Sequence, residues 1–230
     1  MFLCYTPELV KAMLTAIFDF ARMPCWKFDY APHDIGTYPL ADGQVYALKD
    51  NFSKRVKIDR TKVYNNTDDI FNYKYQMPVE ECGNMIICAY SYYFVTKDDS
   101  QIKSNIDLLE KWADYLKNTG IVLENQLCTD DFAGHVSKNV NLAIKAIMAI
   151  KCFSEICKLT GSERADEFSQ TAQDFTNELC KLACVNNYLA FSLDNKKSWS
   201  LKYNLVWDIL FDFKLFPSEI YDGESRVYYE

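Results

Sequence analysis

Two adjacent carboxylates, a thiol, a hydroxyl, two side-chain amides and a histidine crowd into one short stretch, Glu124-Asn125-Gln126-Leu127-Cys128-Thr129-Asp130-Asp131-Phe132-Ala133-Gly134-His135. Polar groups at this density on a loop between helical patterns mark a site rather than a core. Asp130 and Asp131 are candidates for proton transfer or for holding a cationic substrate group. Neighbours in an extended loop point to opposite sides, so at most one of the two is expected to face a cavity. The other would tie the loop backbone or cap the next helix. A second acid pair, Glu80 and Glu81, falls just after Pro78 in what reads as a first helical turn. There the acids either complement the positive end of the helix dipole or serve as partners for Asp130 or Asp131. Paired carboxylates of that kind are the tools of glycosidic bond hydrolysis.

His33 and Asp34 lie in a turn punctuated by glycine and proline, residues 31–39. Histidine there suits general acid–base catalysis or hydrogen bonding to a substrate, or a plain structural role. Cys128 and Thr129 are nucleophile types, with no histidine partner assignable from sequence. Asn125 and Gln126 would donate hydrogen bonds to a polar substrate or tie down their loop. Lys202, in the aromatic-rich stretch 199–208, offers a cation to an anionic group such as an α-carboxylate.

Helices must position these groups. Leu9, Val10, Met13, Leu14, Ile17 and Phe18 share one helical face, giving a helix over 7–20. The stretch 25–76 is irregular, a length of connection that usually carries function. Further helices are expected over 78–96, 102–118, 137–159, 162–182 and 200–213, with a turn at Asn186-Asn187 and a short extended piece at 188–192. Ile106, Leu109, Trp112, Ala113 and Leu116 form the apolar face of one; Val140, Ile144, Ile147 and Ile150 form that of another. Helix, short turn, helix, long polar loop is the rhythm of an αα-hairpin array. In such an array the longer loops gather at one end. His33, Glu80 and Glu81, Asp130 and Asp131, and Trp199 then fall at or near one mouth.

Composition narrows the function classes. Only 7 Gly and 6 Pro stand against 16 Tyr, 15 Phe and 4 Trp, which favours long helices with bulky packing. The net charge of −7 and the lack of a basic block give nucleic acid no electrostatic purchase. No apolar run reaches the length of a membrane span. Nine cysteines without a C-x-x-C, and only two histidines, argue against zinc; neither a metal nor another cofactor is expected. The first residues lack the basic and apolar regions of a signal peptide, so the chain as written reads as cytoplasmic.

Five segments in order, APHDIGTYP (31–39), MPVEECGNM (77–85), ENQLCTDDFAGH (124–135), NVNLAIKAI (139–147) and WSLKYNLVWD (199–208), resemble the glutaminase A family of the six-hairpin glycosidase superfamily. The resemblance runs over almost the whole chain. It implies an all-α fold, part of an (α/α)6 toroid, as a single helical domain over residues 1–230. It also implies hydrolysis of L-glutamine to L-glutamate and ammonia. Family members look longer, with export left open for them. This chain then looks like a fragment or a reduced version, with an incomplete ring and self-association expected through its open edge.

Three functions follow as expectations. In a glutaminase-like hydrolase, Asp130 or Asp131 would activate water or hold the substrate ammonium. Glu80 or Glu81 would assist proton transfer, His33 and Asp34 would complete the mouth, and Lys202 would hold the carboxylate. In a glycoside hydrolase, two of the same acids would act, with Tyr38, Tyr75, Phe132 and Trp199 stacking on sugar rings. A non-catalytic helical domain would bind a partner or ligand and turn over neither substrate.

Overall fold

The computed structural model describes residues 2–33, 35, 76–124, 126–128 and 135–229. Among them are nine α-helices: α1 (Phe2–Tyr5), α2 (Pro7–Ala21), α3 (Pro78–Thr96), α4 (Ser100–Ser104), α5 (Ile106–Thr119), α6 (Val140–Thr160), α7 (Ala165–Ala183), α8 (Val206–Leu210) and α9 (Ser218–Tyr229). A single hairpin, β1 (Cys184–Val185) with β2 (Tyr188–Leu189), and a 3-10 turn at Tyr203–Leu205 complete the described elements. The fold class is all-α, as the sequence implies.

Helix α6 is the centre of the molecule. The sequence shows an apolar stripe on it, but every residue from 140 to 150 is buried, Asn141 and Lys145 included. A helix apolar nearly all round belongs inside a fold, and α6 packs against α3 on one side and α7 on another. Both of its ends are capped. Asn139 Oδ1 accepts from Leu142 N–H at 2.7 Å, and Gly161 takes the left-handed conformation, φ 73°, that closes the last turn. Helices α5 and α7 are amphipathic and cover the outside. Helix α5 turns Leu108, Leu109, Trp112, Ala113 and Leu116 inward, and Trp112 stacks on Phe18 of α2 with centroids 5.6 Å apart. Arg164, just before α7, ties the two outer helices together through Glu110, Asp114 and Glu167.

Asn186 and Asn187, at φ 49° and 67°, make the two-residue turn between β1 and β2. Asparagine tolerates this region, and paired positive φ values match the twist of a tight hairpin. Helix α9 lies on that hairpin. A Cβ at Gly223 would sit 1.9 Å from the Asn187 carbonyl oxygen, so only glycine permits the approach. Glu224 then accepts from Leu189 N–H at 2.7 Å and from the Trp199 indole at 2.8 Å.

Several sequence expectations need correction. The helix expected over 200–213 is a 3-10 turn followed by the single short helix α8. Asp208 explains the break: its carboxylate accepts from the backbone N–H groups of Leu215 and Phe216, both at 3.0 Å, and from the Tyr221 hydroxyl. The chain is thereby folded back through Asp212 and Lys214, which have φ values of 55° and 57°. Helix α9 has no counterpart among the helices expected from the sequence pattern. The helix expected over 102–118 divides at Asn105, whose side chain donates to the Gln101 carbonyl at 3.0 Å and whose φ of −131° is not helical. On α2, Leu14 and Phe18 are buried but Leu9 and Met13 stay 45% and 56% exposed. Residues 36–75, most of the irregular stretch, lie outside the described residues.

Candidate active site

Helices α3 and α6 begin at the same end of the molecule, and the connections around them meet there. Val79 N–H, in the first turn of α3, donates to Gln126 Oε1 at 3.1 Å. Gln126 also bridges to Val136, and Lys138 N–H donates to the Leu123 carbonyl, which fastens the α5–α6 connection beside both starts. Val140 N–H, opening α6, donates to the Phe191 carbonyl. Asn204 follows from the 3-10 turn, its amide donating to the Asn141 carbonyl at 2.9 Å. The loop that carries His33 arrives through Ala31, whose N–H donates to Cys82 Sγ at 3.3 Å. Three of the polar segments singled out in sequence therefore converge, in their described parts, on the first turns of α3 and α6.

At this end a charged cluster lies between the two helices. Glu80 is 2% exposed and Lys145, from the second turn of α6, is 6% exposed. The Lys145 ammonium donates to Glu80 Oε1, forming a buried ion pair, and also donates to Asn84 Oδ1 at 2.8 Å. Asn84 Nδ2 in turn donates to Glu81 Oε2 at 3.3 Å. Gly83 makes room for this. A Cβ there would lie 2.8 Å from Lys145 Cγ, inside any tolerable contact, so the missing side chain lets the lysine stem cross α3.

The two acids have become chemically different. Glu80 is locked to Lys145. Glu81 is half-buried, and withdrawal from water pushes its carboxyl up from 4.5 to about 7. The hydrogen bond from Asn84 pulls the other way, the neighbouring Glu80 charge adds to the rise, and Lys145 opposes it. A carboxyl that titrates near neutrality and keeps a path to solvent is suited to both taking and giving a proton. Burial also raises the thiol of Cys82 on the same helix, so it is not poised as a thiolate.

Gln126 is buried, and its carbonyl oxygen accepts from Val79 N–H at the start of α3. Lys202 is buried, donates to the Ser200 carbonyl at 2.6 Å and lies over the Trp199 ring. His33 is half-buried, two residues beyond the Ala31 contact with α3. Asp34, Tyr38, Asn125, Thr129, Asp130 and Asp131 lie outside the described residues. No group of three or more His, Cys, Asp or Glu suited to a metal ion occurs among the described residues.

Sequence reasoning missed Lys145 and Asn84. A signal for the first was available: it is the only charge in Leu142-Ala143-Ile144-Lys145-Ala146-Ile147-Met148-Ala149-Ile150, and a charge inside so apolar a stretch must find a partner. Asn84 lies three residues after Glu81 and four after Glu80, on the same helical face.

Two inward helices carrying a buried ion pair, wrapped by amphipathic hairpins, define an all-α hairpin protein with a polar centre at one end. The chain belongs to the glutaminase A six helical-hairpin domain family, whose model matches residues 1–230. It is 31% identical over 99% of its length to a protein named glutaminase A from Aspergillus oryzae, of which it covers 30%. It is 29% identical over 55% of its length to one named a probable glutaminase from Arthroderma benhamiae, covering 15% of that protein. The chain thus spans less than a third of the length of either relative.

Proposed function

We propose that this chain carries the hydrolytic centre of a glutaminase-like amidohydrolase, with Glu81 as the group that moves the proton. The substrate class is taken from the relatives named glutaminase. The chemistry rests on one observation, the half-buried Glu81 carboxyl near neutrality beside the fixed Glu80–Lys145 pair. The Glu81 carboxylate takes a proton from a water molecule as its oxygen attacks the side-chain amide carbon of L-glutamine. Glu81 then returns that proton to the departing nitrogen. The C–N bond breaks, a C–O bond has formed, and glutamate and ammonia leave.

Glu80 holds position through its ion pair with Lys145. In the same proposal Asp130 or Asp131 receives the substrate ammonium, Lys202 its carboxylate, and His33, Asp34, Tyr38, Asn125 and Thr129 border the mouth. The test is ammonia release from L-glutamine by the full chain and by Glu81→Gln. Release that falls by roughly 10²–10⁴ in the variant is expected. Wild-type turnover of aryl glycosides without ammonia release, or a Glu81→Gln variant as active as the wild type, would sink it.

A further inference from the structure

Besides Glu80, the cluster contains two side chains that the hydrolytic step itself does not use, Lys145 and Asn84. Lysine only donates hydrogen bonds, so the Asn84 atom that faces the Lys145 ammonium must be its carbonyl oxygen. The amide nitrogen is then forced to the opposite side, where it meets Glu81 Oε2. Lys145 cannot readily retreat, because its own ammonium is held by Glu80 deep between α3 and α6 and its stem fills the space left at Gly83. The orientation of the Asn84 amide is thus set by an ion pair inside the protein, not by solvent.

We propose that Lys145 and Asn84 are positioning residues for Glu81: the lysine aligns the Asn84 amide, and the aligned N–H holds the Glu81 carboxylate in its proton-accepting form. A hydrogen bond to the charged state of a carboxyl favours that state, which counteracts the withdrawal from water around Glu81. The inference rests on Glu81 being the proton-transfer group. The other groups bearing on the cluster are few among the described residues. Helix α3 itself contributes Glu80, Cys82 and Cys88, and α6 contributes Lys145. Helix α5 contributes Lys111, which acts on Cys82, and the incoming loop carries His33 beyond Ala31. Lys11 of α2 pairs with Asp98, just beyond the far end of α3, and Arg22, just after α2, pairs with Asp107 of α5.

The experiment has two readouts on the full chain: the pH–rate profile of ammonia release, and a carboxyl 13C NMR titration with the Glu81 resonance assigned by Glu81→Gln. Asn84→Leu keeps the bulk and removes the donor. It is expected to move both the acid limb of the rate and the Glu81 midpoint upward by about one pH unit. Gly83→Ala, which displaces Lys145, is expected to move them the same way by less. A uniform loss of rate with an unmoved Glu81 midpoint in Asn84→Leu would overturn the proposal. A midpoint that moves in Asn84→Leu but not in Gly83→Ala would overturn the part assigned to Lys145. If Asn84→Leu does not fold, Asn84→Ser, which shortens the arm, is read by the same criterion. If the wild type releases no ammonia, the glutaminase reading fails. The NMR titration then decides the positioning claim alone.

Discussion

Replacing Glu81 by glutamine is expected to inactivate the protein and stabilise it. Its carboxyl rises from an ordinary 4.5 to about 7 in the folded chain, chiefly because folding withdraws it from water. The sign follows from proton linkage. Below about 4.5 both states hold the proton and the group has no effect on stability. Between about 4.5 and about 7 the folded chain keeps a proton that the unfolded chain has released, so stability falls as pH rises. Above about 7 the full penalty applies. A gap of about two and a half pH units, at about 1.4 kcal/mol each, amounts to about 3 kcal/mol.

Glutamine has nearly the same shape and no charge to desolvate, so it escapes this penalty. For a chain of this size, Glu81→Gln is expected to raise Tm by roughly 6–12 °C at about pH 8. At about pH 5 the gain shrinks to under about 1 kcal/mol. Calorimetric unfolding of both proteins at the two pH values, with ammonia release measured on the same samples, is the assay. A stabilisation equal at both pH values would mean that the effect is packing and not desolvation. Destabilisation at pH 8 would mean that the Glu81 charge is satisfied, and the case for it as a neutral-pH proton carrier would fail with it.

Lys145→Met strands the Glu80 carboxylate in the interior and is expected to destabilise the fold by about 3–5 kcal/mol; adding Glu80→Gln should recover much of that in urea unfolding. Asp208→Ala leaves two buried backbone N–H groups and the Tyr221 hydroxyl without their acceptor, a loss of about 3 kcal/mol or more. Its partner also serves as a reporter: burial and the Asp208 carboxylate hold the Tyr221 phenol well above its ordinary titration, so the variant should ionise at lower pH in ultraviolet difference spectra. Gly223→Ala drives a methyl group into the Asn187 carbonyl and is expected to loosen α9 from the hairpin, costing about 1–3 kcal/mol. Amide exchange faster at Leu189 than in the wild type is the local sign.

The helices that sequence placed well are those whose ends carry local signals. Pro78 starts α3, and Gly161 ends α6 through a left-handed cap. Asn186-Asn187 states its hairpin turn in two residues. The helix expected over 200–213 failed because its apolar spacing is genuine but the decisive interaction is not local. Asp208 reaches seven and eight residues ahead for its backbone donors, and no window of periodicity contains that information. The same holds for α9, whose position depends on a glycine meeting a carbonyl in a different supersecondary unit.

The site divides along the same line. Glu80 and Glu81 look equivalent in sequence, two acids at a helix start, and helix-dipole complementarity would treat them alike. They are separated by geometry one helix away. The α6 face at Lys145 meets α3 where Gly83 leaves space, so Glu80 receives the cation and Glu81 receives only an amide. One acid is thereby tied into an ion pair, and burial raises the other toward neutral pH. Environment-driven divergence of two carboxyls is what acid–base catalysis requires. The divergence turns on Lys145, the one charge in the buried stretch 142–150 of α6; its lone place in an apolar run marks it for a partner but does not say which acid across the helix pair receives it.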